Sequence, residues 1–171
     1  MKVLVPSFVA ATLILGGCAT HYSWRPKVKE SMRHVAVPTF RNETNLPEIG
    51  AVSSRQILRE IQREGTFAIS SVDDAALELQ GVVKSVNSST PVSSRRIYGR
   101  TSASEMTAEV EVVVVDKREG RVLAERVYRP RATYMSGSDV TTAKRDAAGR
   151  LADDLARQVV DDLLTLKDLK D

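Results

Sequence analysis

Residues Ala103–Val115 read A-S-E-M-T-A-E-V-E-V-V-V-V, and they predict the strand around which the rest of the chain is arranged. Apolar residues at 106, 108, 110, 112 and 114 alternate with polar residues at 105, 107, 109 and 111. Because successive side chains of a strand point to opposite faces, this alternation predicts one buried face and one solvated face. The turn D-K-R-E-G at 116–120 uses Gly120 for a positive φ, and Arg121–Thr133 is predicted to return as the antiparallel partner.

The residues before this stretch predict a strand, a helix and two further strands. Arg33–Phe40 is rich in residues that favour strands. Glu48–Glu64 has apolar residues at helical spacing and precedes Gly65, which suits the left-handed conformation that ends a helix. Phe67–Val72 predicts a short strand, and Ala75–Ser85 predicts a longer one with its apolar residues on one face.

The C-terminal part predicts the longest element, a helix capped by Ser138 or Asp139. The predicted order is therefore β-α-β-β-β-β-α. This order predicts an α+β fold with two layers: a mainly antiparallel sheet of four to five strands, with both helices packed on one face. The apolar stripe of the last helix consists of Val140, Ala143, Ala147, Leu151, Leu155, Val159, Leu163 and Leu166.

The first eighteen residues predict export and lipid attachment. Lys2 precedes an apolar run, Val3–Leu15, which is followed by Gly16-Gly17-Cys18. A basic start, a short apolar core and small residues before the cut are typical of a signal peptide, and an aliphatic residue, two small residues and Cys are typical of a bacterial lipobox. We predict a signal peptide at 1–17, a tether at 18–30 and a single α+β lipoprotein domain at 31–171. The alternative is an ordinary buried helix in which Cys18 is a packed thiol.

The lipobox also predicts where the protein resides. A cysteine that carries several acyl chains gives stable anchoring, and no second apolar run approaches the length of a membrane span. Ala19 follows the cysteine, and it is not the Asp that usually retains lipoproteins at the inner membrane. We therefore expect a protein lipidated at Cys18 and held on the periplasmic face of the outer membrane of a Gram-negative cell.

The residues that carry chemistry form no constellation expected of an enzyme. The two histidines, His21 and His34, lack the spacing of a metal site or a catalytic dyad. We expect Asp73-Asp74 to form a turn, and Asp153-Asp154 and Asp161-Asp162 to lie on the solvent side of the last helix. The net charge of +3, with both signs interleaved, does not indicate a nucleic-acid binder. The sequence thus predicts a protein that is not an enzyme and has no metal or cofactor.

The chain resembles the LptE-type lipopolysaccharide-assembly lipoproteins through several motifs that occur in the same order along the sequence. The most specific is H-V-A-V-P-T-F-R-N-E-T at 34–44. The others are Arg59-Glu60-Ile61 before Gly65, Asp73-Asp74-Ala75, L-E-L-Q-G at 77–81, a valine-rich strand that ends at Asp116, and the long terminal helix. The resemblance covers essentially the whole chain after the lipobox.

This resemblance implies two helices packed on a four-stranded sheet. It also implies a partner, an LptD-type outer-membrane β-barrel, which the protein would help to assemble and would plug. The implied ligand is lipopolysaccharide on its way to the cell surface. The alternative is a lipoprotein adaptor of similar fold that serves another envelope secretion or export complex.

Lipopolysaccharide has phosphates and acyl chains, so its site requires Arg or Lys beside apolar surface. The best local cluster is Arg95, Arg96 and Arg100, with Tyr98 between them, in the polar segment Ser88–Ser102. The alternative is that these arginines are solvated charges that keep a strand edge from pairing with other chains. Two further sets are candidates: Arg126, Arg129 and Arg131 to extend the cluster, and Tyr128, Tyr134 and Met135 to anchor the barrel.

Overall fold

The computed structural model describes residues 28–89, 102–136 and 139–169. The predicted lipidation site Cys18 and the predicted cluster Arg95, Arg96 and Arg100 lie outside these residues. Within them the chain forms seven strands, two α-helices and short 3-10 turns at Glu30–Met32 and Lys167–Leu169. In chain order the strands and helices are β1 (His34–Ala36), β2 (Arg41–Asn42), α1 (Ile49–Glu64), β3 (Ala68–Ile69), β4 (Leu77–Ser89), β5 (Ser102–Asp116), β6 (Arg121–Tyr128), β7 (Arg131–Ser136) and α2 (Val140–Thr165).

The strands form one mixed sheet in the order β3-β1-β4-β5-β6, in which β2 also pairs with β4 and β7 also pairs with β5. The pairs among β4, β5, β6 and β7 are antiparallel. The pairs that involve β1, β2 and β3 are parallel, so the prediction of a mainly antiparallel sheet of four to five strands is correct only in part. The physical reason is that α1 joins β1 and β2 to β3, and a helical crossover brings the next strand into the sheet in the same direction.

Two predicted strands differ from the structure. The strand predicted at Arg33–Phe40 ends at Ala36, and β2 lies at residues 41–42, beyond its predicted end. In the break between β1 and β2, the hydroxyl of Ser54 on α1 accepts a hydrogen bond from the Phe40 N–H at 2.8 Å. The same hydroxyl lies 3.0 Å from the Pro38 carbonyl, so α1 satisfies backbone groups that a sheet neighbour would otherwise satisfy. The second break lies between β6 and β7 at Pro130, which has no N–H to donate to β5.

The core lies between one face of the sheet and the two helices. On β5 the even-numbered residues from Ser104 to Val114 are buried and the odd-numbered residues are only partly buried, as the alternation predicts. The glycine at position 81 serves this packing because a Cβ there would lie 2.3 Å from the ring of Phe40. The largest fully buried side chains are Ile49, Ile57, Ile61, Leu77, Leu79, Met106, Leu151, Leu155, Leu163, Leu169, Val35 and Val83.

Both helices have the ends that the sequence predicts. Gly65 ends α1 with φ of 80°, and its N–H donates to the Ile61 carbonyl at 3.0 Å. Asp139 caps α2 by accepting from the Thr142 N–H at 3.0 Å. The stripe of α2 is buried from Ala147 to Leu163, whereas Val140 at its start is 39% exposed. Neither α1 nor α2, in the part of the chain described, is apolar enough over a sufficient length to span a bilayer.

Candidate functional site

The two ends of the sheet differ, and the difference defines the candidate site. We call the end where β4 begins and β5 finishes the closed end. There the Lys29 N–H donates to the Leu169 carbonyl at 2.9 Å, so the first and last described segments lie side by side. The Lys117 N–H donates to the Ala76 carbonyl at 2.9 Å, which ties the β5–β6 turn to the start of β4. The segment that precedes Val28 therefore enters the domain at the closed end.

We call the opposite end, where β4 finishes and β5 begins, the loop end. Ser89 and Ser102 flank the connection that contains the predicted cluster Arg95, Arg96 and Arg100. The thirteen residues of β4 separate the two ends by about 40 Å, at roughly 3.3 Å per residue. The residues that flank the basic connection, Ser89 and Ser102, therefore lie at the opposite end of β4 from Lys29.

A pocket of about 370 Å³ lies at the loop end, between the sheet, the segment after β2 and the first turns of α2. Its apolar part is formed by Leu46 and Val86, which are partly buried, and by Met106, which is 1% exposed. Its basic side chains are Lys84 on β4 and Lys144 on α2. The other residues that line it are Glu43, Thr44, Asn45, Ser85 and Ser88.

The two lysines of this pocket differ in their ion pairs. The Lys84 Nζ lies 3.6 Å from a Glu43 carboxylate oxygen and 3.3 Å from a Glu111 carboxylate oxygen. Lys144 forms no ion pair with any residue in the described ranges. Lys144 is therefore the cation available to an anionic ligand, and the two carboxylates hold Lys84 at the pocket wall.

Sequence reasoning missed this pocket. Lys84 interrupts a valine-rich strand, and Lys144 follows Ala143 on the predicted stripe of α2, so each position alone indicates only a solvated charge. A weak signal existed in the register shift between Val83 and Ser85, since a bulge often changes where a strand directs its side chains. That shift becomes visible only once β5 is paired with β4.

The arginines that were predicted to extend the basic cluster lie along the β6–β7 edge. The Arg126 Nε lies 3.5 Å from a carboxylate oxygen of Asp162, and the Arg129 guanidinium lies 3.0 Å from that of Glu109. Arg131 donates its backbone N–H to Asp154 at 3.2 Å, and its side chain is exposed. Two of the three are thus paired within the domain, and all three lie on β6, β7 or the link between them, separate from the β4–β5 connection.

The aromatic residues proposed as barrel anchors are in the core. Tyr128 is 9% exposed and donates its hydroxyl to Asp162 at 2.9 Å, and Tyr134 is 6% exposed. Burial, together with this hydrogen bond, holds the pKa of the Tyr128 phenol well above its ordinary value. Of the proposed anchors, only Met135 is exposed, at 59%.

The acidic pairs of α2 correct a second expectation. We expected both pairs on the solvent side, but Asp154 and Asp162 bind the edge formed by β6 and β7. The helix lies along that edge, so Asp154 accepts a hydrogen bond from the backbone N–H of Arg131 and Asp162 accepts one from the hydroxyl of Tyr128. Among residues 28–89, 102–136 and 139–169, no group of three or more His, Cys, Asp or Glu side chains is placed to hold a metal ion.

Comparison with protein families identifies one match. The model of the LptE family, described as lipopolysaccharide-assembly, matches residues 32–163. These residues include every strand and nearly all of α2. A search of curated proteins finds no match.

Solved structures with similar folds share little sequence with this chain. A protein from Xanthomonas campestris has a TM-score of 0.57 at 12% identity, with 85% of this chain and 96% of that chain covered. A hypothetical protein from Chlamydia trachomatis has a TM-score of 0.54 at 12% identity, with 78% and 96% covered. A protein from Caulobacter crescentus, described as a lipoprotein, has a TM-score of 0.51 at 17% identity, with 74% and 89% covered. At these identities the likeness concerns the fold alone.

Proposed function

The chain belongs to the LptE lipopolysaccharide-assembly family, and from this premise we propose that it is an outer-membrane lipoprotein that docks with an LptD-type β-barrel. In this role it is lipidated at Cys18, faces the periplasm and assists the transport and assembly of lipopolysaccharide. The role is one of binding and positioning, without a chemical step.

The observation that carries the proposal is the pocket at the loop end. A lipopolysaccharide contact requires cations beside apolar surface, and the pocket places Lys144 and Lys84 around Leu46, Val86 and Met106. The connection with Arg95, Arg96 and Arg100 leaves the sheet at the same end. The proposed ligand contacts are therefore this connection and this pocket together.

The start of the described chain agrees with this arrangement. Lys29 lies at the closed end, about 40 Å from the loop end. A lipid at Cys18 would hold the closed end near the membrane and raise the local concentration of the domain around its barrel. The loop end would then be the part that extends away from the anchor.

The sheet face away from the helices supports docking with a barrel. Val122, Val127 and Met135 lie on this face and are 54%, 49% and 59% exposed. Their strands form an edge of the sheet, so the surface around them is continuous from the face to the edge. Partly apolar surface of this kind is typical of a protein interface.

The decisive experiment is affinity purification of the native lipidated protein, followed by identification of its partner and measurement of surface lipopolysaccharide after depletion. We expect a large outer-membrane barrel to co-purify and surface lipopolysaccharide to fall. Recovery of a different envelope channel, with surface lipopolysaccharide unchanged, would instead support an adaptor of another export complex and refute the proposal.

The ligand contacts are tested separately with Arg95→Glu, Arg96→Glu and Arg100→Glu combined. The matched control combines Arg55→Glu, Arg118→Glu and Lys167→Glu, which gives the same change of charge at exposed positions outside the pocket. We expect the first variant alone to lose lipopolysaccharide binding. Equal binding by both variants would remove the connection from the proposed site and leave the barrel partner untouched.

A further inference from the structure

The outer surface of the helix layer has a second group of basic side chains, separate from the loop end. Five arginines from three elements surround the exposed side of α2 and line two adjacent depressions. The side chains of Asp153 and Arg157 line both depressions, so the two form one continuous surface. We call it the arginine groove, and its arginines are Arg59 and Arg63 on α1, Arg131 on β7, and Arg150 and Arg157 on α2.

The larger depression, of about 560 Å³, lies between α2 and β7. Its lining consists of charged and polar side chains and the small Ala132. Depressions of this volume match small ligands, and a lining with three arginines and two aspartates suits a charged one. This composition differs from that of the loop-end pocket, which contains Leu46, Val86 and Met106.

Two of the three carboxylates of the groove are already occupied, and the third, Asp153, lines both depressions. Asp154 accepts from the Arg131 backbone N–H at 3.2 Å and from the Gln158 side chain at 3.0 Å, and it lies 3.7 Å from the Arg157 guanidinium. Glu60 forms an ion pair with Arg63, and this contact holds the pKa of the Arg63 guanidinium above its ordinary value. The groove therefore has more arginines than carboxylates.

Three arginines of the groove have no carboxylate partner within the described ranges. The Arg150 guanidinium donates to the Thr133 carbonyl at 2.9 Å, and the Arg59 guanidinium donates to the Gln56 side chain at 3.1 Å. For Arg131 only the backbone N–H has a partner in those ranges. Since a guanidinium has five N–H donors, each of these side chains can still bind an anion with two parallel hydrogen bonds.

We propose that the arginine groove binds phosphate groups, with Arg131 and Arg150 as the principal ligands and Arg59 extending the site across α2. A guanidinium matches the oxygen pair of a phosphate, and several guanidiniums from different elements suit a ligand with two phosphates. The depression has a volume of about 560 Å³, which is the size of a small ligand and favours a compact anion. Two sources have this chemistry: a free phosphate compound, and the phosphorylated sugar head group of a glycolipid.

The test uses the full chain, purified in detergent, with two probes: inorganic pyrophosphate, and lipid A in mixed micelles. The groove variant is Arg131→Gln with Arg150→Gln. The matched control, Arg118→Gln with Arg145→Gln, removes the same charge from exposed residues outside the groove. We expect the groove variant to weaken binding by roughly a hundredfold, about tenfold for each guanidinium that is removed, and the control to bind like wild type.

The outcomes distinguish the two sources of phosphate and test the proposal itself. Tighter wild-type binding of lipid A than of pyrophosphate, abolished in the groove variant, supports a glycolipid head group, and equal binding of both supports a free phosphate. Binding that is equal in the groove variant and the control overturns the proposal, as does the absence of binding to wild type.

Arg131→Lys with Arg150→Lys keeps the charge and should still lose most of the affinity, since an ammonium does not form the paired hydrogen bonds. Barrel co-purification is measured independently, so a failure here leaves the proposed function standing.

Discussion

The closed end and the loop end are made from the same two strands, yet they are stabilised differently. At the closed end β4 has β1 and β2 on one side and β5 on the other, and the turn after β5 is bound to the segment before β4. At the loop end, in the part of the chain described, residues 84–89 of β4 pair only with β5. The neighbouring space is the pocket lined by Lys84 and Lys144.

Because of this difference, we expect the closed end to contribute mainly to stability and the loop end mainly to ligand binding. A strand with neighbours on both sides has its backbone groups satisfied, and its side chains pack against both layers. A strand with one neighbour leaves an open edge, and the domain uses that space for a pocket with mixed chemistry. Changes at the closed end should therefore affect unfolding, and changes at the loop end should affect ligand binding.

The largest effect is expected from Leu79→Ala near the closed end. Leu79 is fully buried in the core, and removing a buried leucine side chain leaves a cavity that costs about 2–5 kcal/mol. Val86→Ala at the loop end should cost less, because Val86 is only partly buried. Urea unfolding of both variants measures the comparison. Similar decreases in stability for the two would show that the loop end is packed as tightly as the closed end.

The next effect is expected from Lys144→Glu at the loop end. The change reverses the one pocket lysine that has no ion pair in the described ranges, so lipopolysaccharide binding should fall by about tenfold, or roughly 1.4 kcal/mol. The melting temperature should stay within a degree or two of wild type. Lys167→Glu, an exposed lysine at the closed end, is the matched control and should bind normally. If Lys167→Glu weakened binding to the same extent, net charge and not the pocket would be responsible.

A smaller effect is expected from Tyr128→Phe, which removes the hydrogen bond from β6 to Asp162 on α2. The decrease in stability should be about 1 kcal/mol at pH 7. Because burial raises the pKa of the Tyr128 phenol, its contribution is complete below the ordinary tyrosine pKa of about 10 and is lost as the pH rises beyond it. Unfolding of wild type and variant at pH 7 and above pH 10 measures this. A difference that grows with pH would contradict the assignment.

The smallest effect is expected from Asp139→Ala at the start of α2, at the loop end. The cap hydrogen bonds from Thr142 hold the pKa of the Asp139 carboxyl below its ordinary value. A depressed pKa stabilises the fold above about pH 4, and this stabilisation is lost as the pH falls through the folded-state value. Melting curves at pH 7 should show a slightly less stable variant, and the difference should shrink as the pH falls below about 4. A difference that stays constant as the pH falls would point to packing and not to the charged cap.

Most elements could be predicted from the sequence because their signals are local. The alternation in β5, the turn at Gly120 and the C-cap at Gly65 each depend on neighbouring residues, and the structure confirms all three. The break between β6 and β7 also has a local signal, because Pro130 has no N–H to donate. The contact between β1 and β2 has none, because it comes from Ser54, which lies fourteen residues beyond Phe40.

The candidate sites depend even more on residues that are distant in sequence, so the sequence predicts them less well than it predicts the strands. The predicted cluster Arg95, Arg96 and Arg100 consists of neighbours in sequence, which is why the sequence pattern indicates it. The pocket joins Lys84 to Lys144, and the arginine groove joins Arg59 to Arg131 and Arg150. These side chains meet only because α2 runs back along the β6–β7 edge and α1 lies beside it.

By itself, the sequence determined the type and approximate bounds of the strands and helices, the two-layer class and the family resemblance. Side-chain periodicity, turn residues and helix caps act over a few residues, so these features can be read directly along the chain. Only the tertiary structure decided the parallel pairs, the different neighbours at the two ends of β4, and which distant cations share a pocket. These features depend on the crossover of α1 and on the register of β4 with β5, and both are set by burial of the whole core.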